Sequence, residues 1–164
     1  MAISLIPAAS AINGTLPVAN GGTGTTTLGP AFLAYQASVQ SVSNTTVTKI
    51  NFDSETFDTN NNFNTSTGRF TPTVAGYYQI NLSISLQTVS PIMIMLYKTG
   101  SHYLTCVGTG IAGASNSTGT LACVVYMNGT DYLEGNVYQS TGVALNSNND
   151  SRFMQFSGSL IRSA

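Results

Sequence analysis

The strongest constraint in this sequence is an alternation. Tyr78, Ile80, Leu82, Ile84 and Leu86 share one parity, and Gln79, Asn81, Ser83 and Ser85 share the other. Successive side chains of an extended strand point to opposite faces, so the pattern describes a strand with one buried face. From residue 31 onward the same period recurs, and almost nothing repeats at helical spacing. Further strands are expected over 32–39, 47–52, 69–72, 92–98, 103–107, 121–127, 131–138 and 153–161. Turn chemistries separate them: Asn60-Asn61-Asn62, Thr67-Gly68, Ala75-Gly76, Thr99-Gly100, Asn128-Gly129 and the stretch 146–150. Many short strands with frequent turns and no convincing helix specify an all-β chain, as an antiparallel sandwich, jelly roll or barrel.

One strand breaks the one-faced pattern. Over 92–98, Ile92, Ile94 and Leu96 occupy one face while Met93, Met95 and Tyr97 occupy the other. A monomeric sandwich buries one face of each strand, so the second apolar face points to a subunit contact or to cover by a loop.

The 164 residues suffice for one domain with a single core. Five Lys+Arg against six Asp+Glu leave a net charge of −1, which supplies no field to steer the chain toward phosphate backbones or anionic lipid. Nucleic acid is therefore a poor partner, and no apolar run has the length of about 20 residues that a membrane-inserted helix needs. The opening residues lack a basic region, and Pro7 interrupts their apolar run, so a signal peptide is not expected. Cys106 and Cys123 are too few for a disulfide framework and match no zinc spacing; two thiols in half-buried strands are the expectation.

Residues 1–29 form a separate unit, free of charge and punctuated by Gly14, Pro17, Gly21, Gly22, Gly24 and Gly29. Isolated aliphatics, Ile3, Leu5, Ile6, Ile12, Leu16 and Val18, distinguish this stretch from a pure linker. An extended arm that orders against a partner fits better, with residues 30–164 as the head.

Catalytic chemistry is sparse. His102 is the sole histidine and follows Gly100-Ser101 in an expected turn, and no Gly-x-Ser-x-Gly elbow occurs, so no catalytic residue is assigned. Asp53, Glu55 and Asp58 form the only acidic cluster; with nearby Asn oxygens they could share calcium, yet a charged edge that discourages sheet-to-sheet aggregation is the plainer account. No cofactor is expected otherwise.

Landmarks in the head now add up. In order they are Ala31-Phe32-x-Ala34, Ile50-x-Phe52-Asp53, Phe63-x-x-x-x-Gly68-Arg69-Phe70-Thr71-x-x-x-x-Gly76-x-Tyr78, Leu96-Tyr97-Lys98-x-Gly100, a Gly129/Asp131 turn and Phe156-Ser157-Gly158-x-Leu160. The ordered set resembles the globular head of complement component 1q and its tumour-necrosis-factor-like relatives. The resemblance implies an antiparallel two-sheet jelly-roll sandwich that assembles as a homotrimer, with Phe32, Phe52, Phe70, Tyr78, Ile92, Ile94, Leu96, Phe156 and Leu160 in trimer or core packing. Thr130 splits the family's usual Gly-Asp pair.

The arm has its own likeness: Leu16-Pro17-Val18-Ala19-Asn20-Gly21-Gly22-Thr23-Gly24-Thr25-Thr26-Thr27 resembles a sequence that recurs in bacteriophage fibre proteins. It implies that Leu16, Pro17, Val18, Asn20, Gly21, Gly22 and Gly24 anchor the chain to other virion proteins of capsid or tail. Together the two resemblances suggest a non-enzymatic short fibre, knob or decoration on the virion surface that adheres to a host cell-surface glycan or protein. Loop placement nominates Asn61, Asn62, His102, Tyr103 and Asn148 as receptor contacts. A bacterial surface or spore-coat adhesion domain would normally bring a collagen-like stalk, which the sequence lacks, and a glycan-degrading tip would need paired carboxylates.

Overall fold

The computed structural model describes residues 29–110, 115–148 and 150–164. Thirteen strands and no helix occur among them. In chain order they are β1 (Ala31–Tyr35), β2 (Ser41–Val42), β3 (Thr48–Lys49), β4 (Ser54–Asp58), β5 (Phe63–Asn64), β6 (Arg69–Phe70) and β7 (Gly76–Leu86). Then follow β8 (Ile92–Lys98), β9 (Ser101–Gly110), β10 (Ser117–Met127), β11 (Leu133–Tyr138), β12 (Leu145–Asn146) and β13 (Gln155–Ser163).

All pairings are antiparallel. One layer runs β4-β1-β13-β7-β10; the other runs β9-β8-β11-β6-β5, with β3 also on β11. The layers are joined where β10 meets β9 at Ser117↔Gly110 and Thr118↔Thr109. Close backbone approach there depends on two glycines, because a Cβ on Gly119 would meet Ile94 and stand 2.8 Å from the Cα of Gly108.

The apolar parity of β7 lines the space between the layers: Tyr78, Ile80, Leu82, Ile84 and Leu86 are all fully buried. Ile92, Ile94 and Leu96 of β8 answer from the other layer, and Leu133 and Val137 of β11 join them. One end of the core is aromatic. Phe32 of β1 stacks on Phe70 of β6 with ring centroids 4.2 Å apart, and Phe63, Phe156 and Phe52 continue the cluster. Truncating such a ring to alanine costs about 3–5 kcal/mol, so these contacts are a main source of stability. Phe32, Phe52, Phe70, Tyr78, Ile92, Ile94, Leu96 and Phe156 thus pack within the protomer, and Leu160 is partly buried against the same core.

β7 spans 11 residues, roughly 35 Å, and defines two poles. At the near pole Leu160 N–H donates to Pro30 O and Ala164 N–H donates to Ala75 O, so both ends of the head lie together. The far pole holds the turns after β7, β11 and β2. Gln87 N–H donates to Asn146 O there, Thr45 N–H to Gln139 O and Gly142 N–H to Asn44 Oδ1.

The Gly129/Asp131 turn absorbs its extra residue through a side chain. Asn128 Oδ1 accepts from the N–H groups of Thr130 and Asp131 at 2.9 and 2.8 Å, while Gly129 takes φ +90°. Thr99 and Gly100 both have positive φ, the backbone of a tight hairpin turn between β8 and β9. That turn is complete before Ser101, so His102 lies on β9 rather than in a turn.

Candidate functional site

Two faces are open, one on each layer. On the outer face of the first layer, the cross-strand partners Tyr77 (β7) and Tyr126 (β10) bring their rings to a centroid separation of 5.4 Å. They are 46% and 42% exposed, and Val124, two residues along β10, is 52% exposed. Ile161, at the bulge in β13 beside Tyr78, adds another exposed aliphatic group. The rest of this face is mixed: Gln79, Asn81 and Thr120 are polar, Arg162 is the β13 partner of Tyr77, and at the other edge Phe57 of β4, 45% exposed, pairs with Leu33 of β1. A monomer gains nothing by holding two tyrosines and two aliphatic side chains in water, and aromatic residues are enriched at protein interfaces.

The outer face of the second layer is different in character. Arg69 Nε donates to Glu134 Oε2 at 2.9 Å, and its guanidinium carbon lies 4.1 Å from the ring centroid of Tyr132. Lys98, in register with the core residue Leu133, turns off this face at the near pole: its Nζ donates to Tyr126 O on the first layer and lies 2.9 Å from Asp131 Oδ2, a contact that holds the Asp131 carboxyl below the usual carboxylate range. Next to the pairs, His102 stands 5.7 Å from the Tyr97 ring, and its Nε2 shares a 2.6 Å hydrogen bond with Thr105 Oγ1. The second face of β8 lies here. Met95 is 9% exposed and covered within the protomer, whereas Met93 is 44% exposed, so only part of that face is free for any partner.

A model of the C1q domain matches residues 31–161. The chain belongs to the C1q domain family. Solved structures agree on the fold. The globular domain of zebrafish complement 1qA is 17% identical, with a TM-score of 0.61 over 83% of this chain and 99% of that one. The tumour-necrosis-factor protein Eiger of S. frugiperda is 13% identical, with a TM-score of 0.58 over 84% and 94%. Vertex protein P5 of PRD1 is 12% identical, with a TM-score of 0.59 over 83% and 99%. At these identities the likeness concerns fold alone. No curated protein matches the chain.

Within this C1q domain the loop residues nominated from sequence divide into two groups. Asn61, at φ +53°, and Tyr103, the extra residue of a bulge in β9, are exposed, as is His102. Asn62 and Asn148 are instead 7% and 6% exposed, which corrects their expected role as surface contacts. The reason is local: Asn62 Nδ2 donates to Asn60 O, and Asn148 pairs with Ser85 Oγ while its Oδ1 accepts Asp150 N–H. Both amides hold turns.

Asp53, Glu55 and Asp58 do not converge. Asp53 accepts the N–H groups of Ala37 and Ser38, Asp58 accepts those of Asn60 and Phe63, and Glu55 is exposed on β4. Among the described residues no three His, Cys, Asp or Glu side chains gather as a metal-binding group. Glu55 and Asn61 share a polar groove of about 450 Å³ with Thr71 and Thr73. Cys106 and Cys123 are free thiols packed against the core, and burial pushes the Cys123 thiol up. The anchoring residues Leu16, Pro17, Val18, Asn20, Gly21, Gly22 and Gly24 lie outside the described residues. The sequence pattern did not single out Tyr77, Val124, Tyr126 or Ile161. Apolar residues on both parities of 124–127 were the available signal.

Proposed function

We propose that this chain is a non-enzymatic bacteriophage virion surface protein, a trimeric short fibre, knob or decoration. Residues 1–29 anchor it to capsid or tail, and the far pole faces the host surface. The observation that carries the reading is the exposed Tyr77–Tyr126 pair with Val124 and Ile161, an aromatic and aliphatic patch on the outer face of the first layer, bordered by Arg162 and Lys98. Closing three copies around a three-fold axis buries this patch without leaving an open-ended interface. The particle setting is supported by the likeness of residues 16–27 to phage fibre sequences and by the PRD1 vertex protein among similar structures. Both ends of the head lie at one pole, which suits an arm that docks below and a contact surface above. Three heads per fibre and many fibres per particle would convert weak contacts into avidity.

The test has two arms. Mass by sedimentation should give a trimer for the full chain, and a monomer at dilution would refute the assembly. Deleting residues 1–27 should abolish attachment to particles that lack the protein while leaving a folded trimer. A truncated head that still attaches would remove the arm from this role.

A further inference from the structure

At the far pole three cross-strand partners stand abreast: Val107 on β9, Met93 on β8 and Tyr138 on β11. With neighbouring strands about 4.8 Å apart, the row is roughly 10 Å wide. Met93 and Val107 are open to solvent and Tyr138 is half-buried. Together with Ser90 and Pro91 before β8, and the turn that follows β11, they line a cleft of about 370 Å³. Small-molecule sites have volumes of about 300–1,000 Å³.

Both bounding turns are held in place. Ser117 Oγ donates to Ser90 O at 2.7 Å, and Ser90 N–H donates to Thr88 Oγ1. The buried Gln139 amide grips the other turn: its Nε2 donates to Val143 O at 2.8 Å, and its Oε1 accepts both the N–H and the hydroxyl of Thr141. A ligand entering here would not have to order its own walls, which removes one of the main costs of association.

The lining chemistry narrows the ligand. No charged side chain occurs among the described residues that line the cleft, so an ion would lose hydration without gaining a partner. The row offers a thioether, an isopropyl group and a phenol ring, while Ser90, Ser140 and Thr141 add hydroxyls at the margin. A neutral pyranose presents the matching surfaces, a face of C–H groups and a rim of hydroxyls. We infer that the Met93–Val107–Tyr138 cleft is a binding subsite for a neutral hexose unit of a surface polysaccharide. The inference deepens the adhesive role proposed above and rests on it for the source of the sugar. The cleft lies on the opposite layer from the Tyr77–Tyr126 patch.

The full chain, carrying methyl-labelled methionine, is titrated with glucose, galactose, rhamnose and N-acetylglucosamine, and its methyl resonances are followed. At least one sugar should shift the Met93 methyl saturably in the millimolar range, while the core methyl of Met127 stays still. Galacturonate should produce no shift. Val107→Glu, which retains the reporter and alters an exposed side chain, should weaken binding by about tenfold or more, a change of about 1.4 kcal/mol. Ser140→Trp should do the same by filling the cleft, and serves if Val107→Glu melts early. Three results overturn the subsite: no response to any neutral sugar, an equal response in both variants, or a response only to a hydrophobic tripeptide added in place of sugar. A trimer that binds no sugar would remove the subsite and leave the trimeric-head reading intact.

Discussion

Tyr77 and Tyr126 face each other across β7 and β10, 5.4 Å between ring centroids, with both rings in solvent. Complete burial of an aromatic side chain removes about 150–250 Å² from water, and at 46% and 42% exposure each of these tyrosines keeps a little under half of that for a partner to cover. Tyr126→Asp places a charge in the centre of the patch and should convert the proposed trimer to a folded monomer. Sedimentation equilibrium reads the mass, and an unchanged trimer would show that the subunits meet elsewhere. Tyr126→Phe should retain the trimer.

Glu134 keeps only a tenth of its side-chain surface in water and depends on Arg69. Arg69→Ala should cost about 1 kcal/mol in urea unfolding, at the low end for an unpaired buried charge because Arg69 itself is 39% exposed. Arg69→Lys should recover less than half of the loss. Lysine keeps the charge but lacks both the Nε–H donor and the planar group that lies over Tyr132.

Tyr78 is sealed in the core, its hydroxyl donates to Val74 O at 2.7 Å, and burial pushes its phenol up to about 12 from 10.0. The folded state therefore holds the proton more tightly than the unfolded one. This contribution to stability is complete below pH 10 and is lost as pH rises toward 12, by about 1.4 kcal/mol per pH unit. Tyr78→Phe should remove this source of alkaline sensitivity and cost about 1 kcal/mol at neutral pH through the lost hydrogen bond. Chemical denaturation of both proteins between pH 9 and 12 compares the slopes.

Gly119→Ala should destabilise the head by about 1–3 kcal/mol, because the new methyl meets Ile94 and the Gly108 backbone where the layers join. Gly142→Ala, which meets nothing within 4 Å but sits at φ +96°, tests backbone strain without crowding. A loss at position 119 no larger than at position 142 would show that the crossing tolerates a Cβ.

Strands with a clear alternation are legible in the sequence alone. β8 falls on the expected 92–98, bounded by Pro91 and the Thr99-Gly100 turn, and β7 follows its apolar parity. β2, β5 and β12 are not legible because two residues cannot display a period; their pairing is imposed by neighbours such as Phe70 and Val42. β4 is hidden for another reason, since its polar, mostly exposed side chains resemble a loop. The site is harder still. The patch around Tyr77 depends on a register that sets it opposite Tyr126, and local pattern does not carry that register. Asn62 and Asn148 are misplaced by loop reasoning because an asparagine in a loop can either meet solvent or satisfy its own backbone, and here both do the latter.

The placement of Pro30 beside Leu160, at the near end of strands that run the length of the head, sets how the domain bears force. A head gripped at its far pole and pulled through Pro30 is loaded along its strands. The ladder hydrogen bonds of β1 with β13 and β4 lie perpendicular to that direction, so they are strained together in shear rather than peeled apart singly. A tether attached at the other end of β1 would open the same ladder one rung at a time.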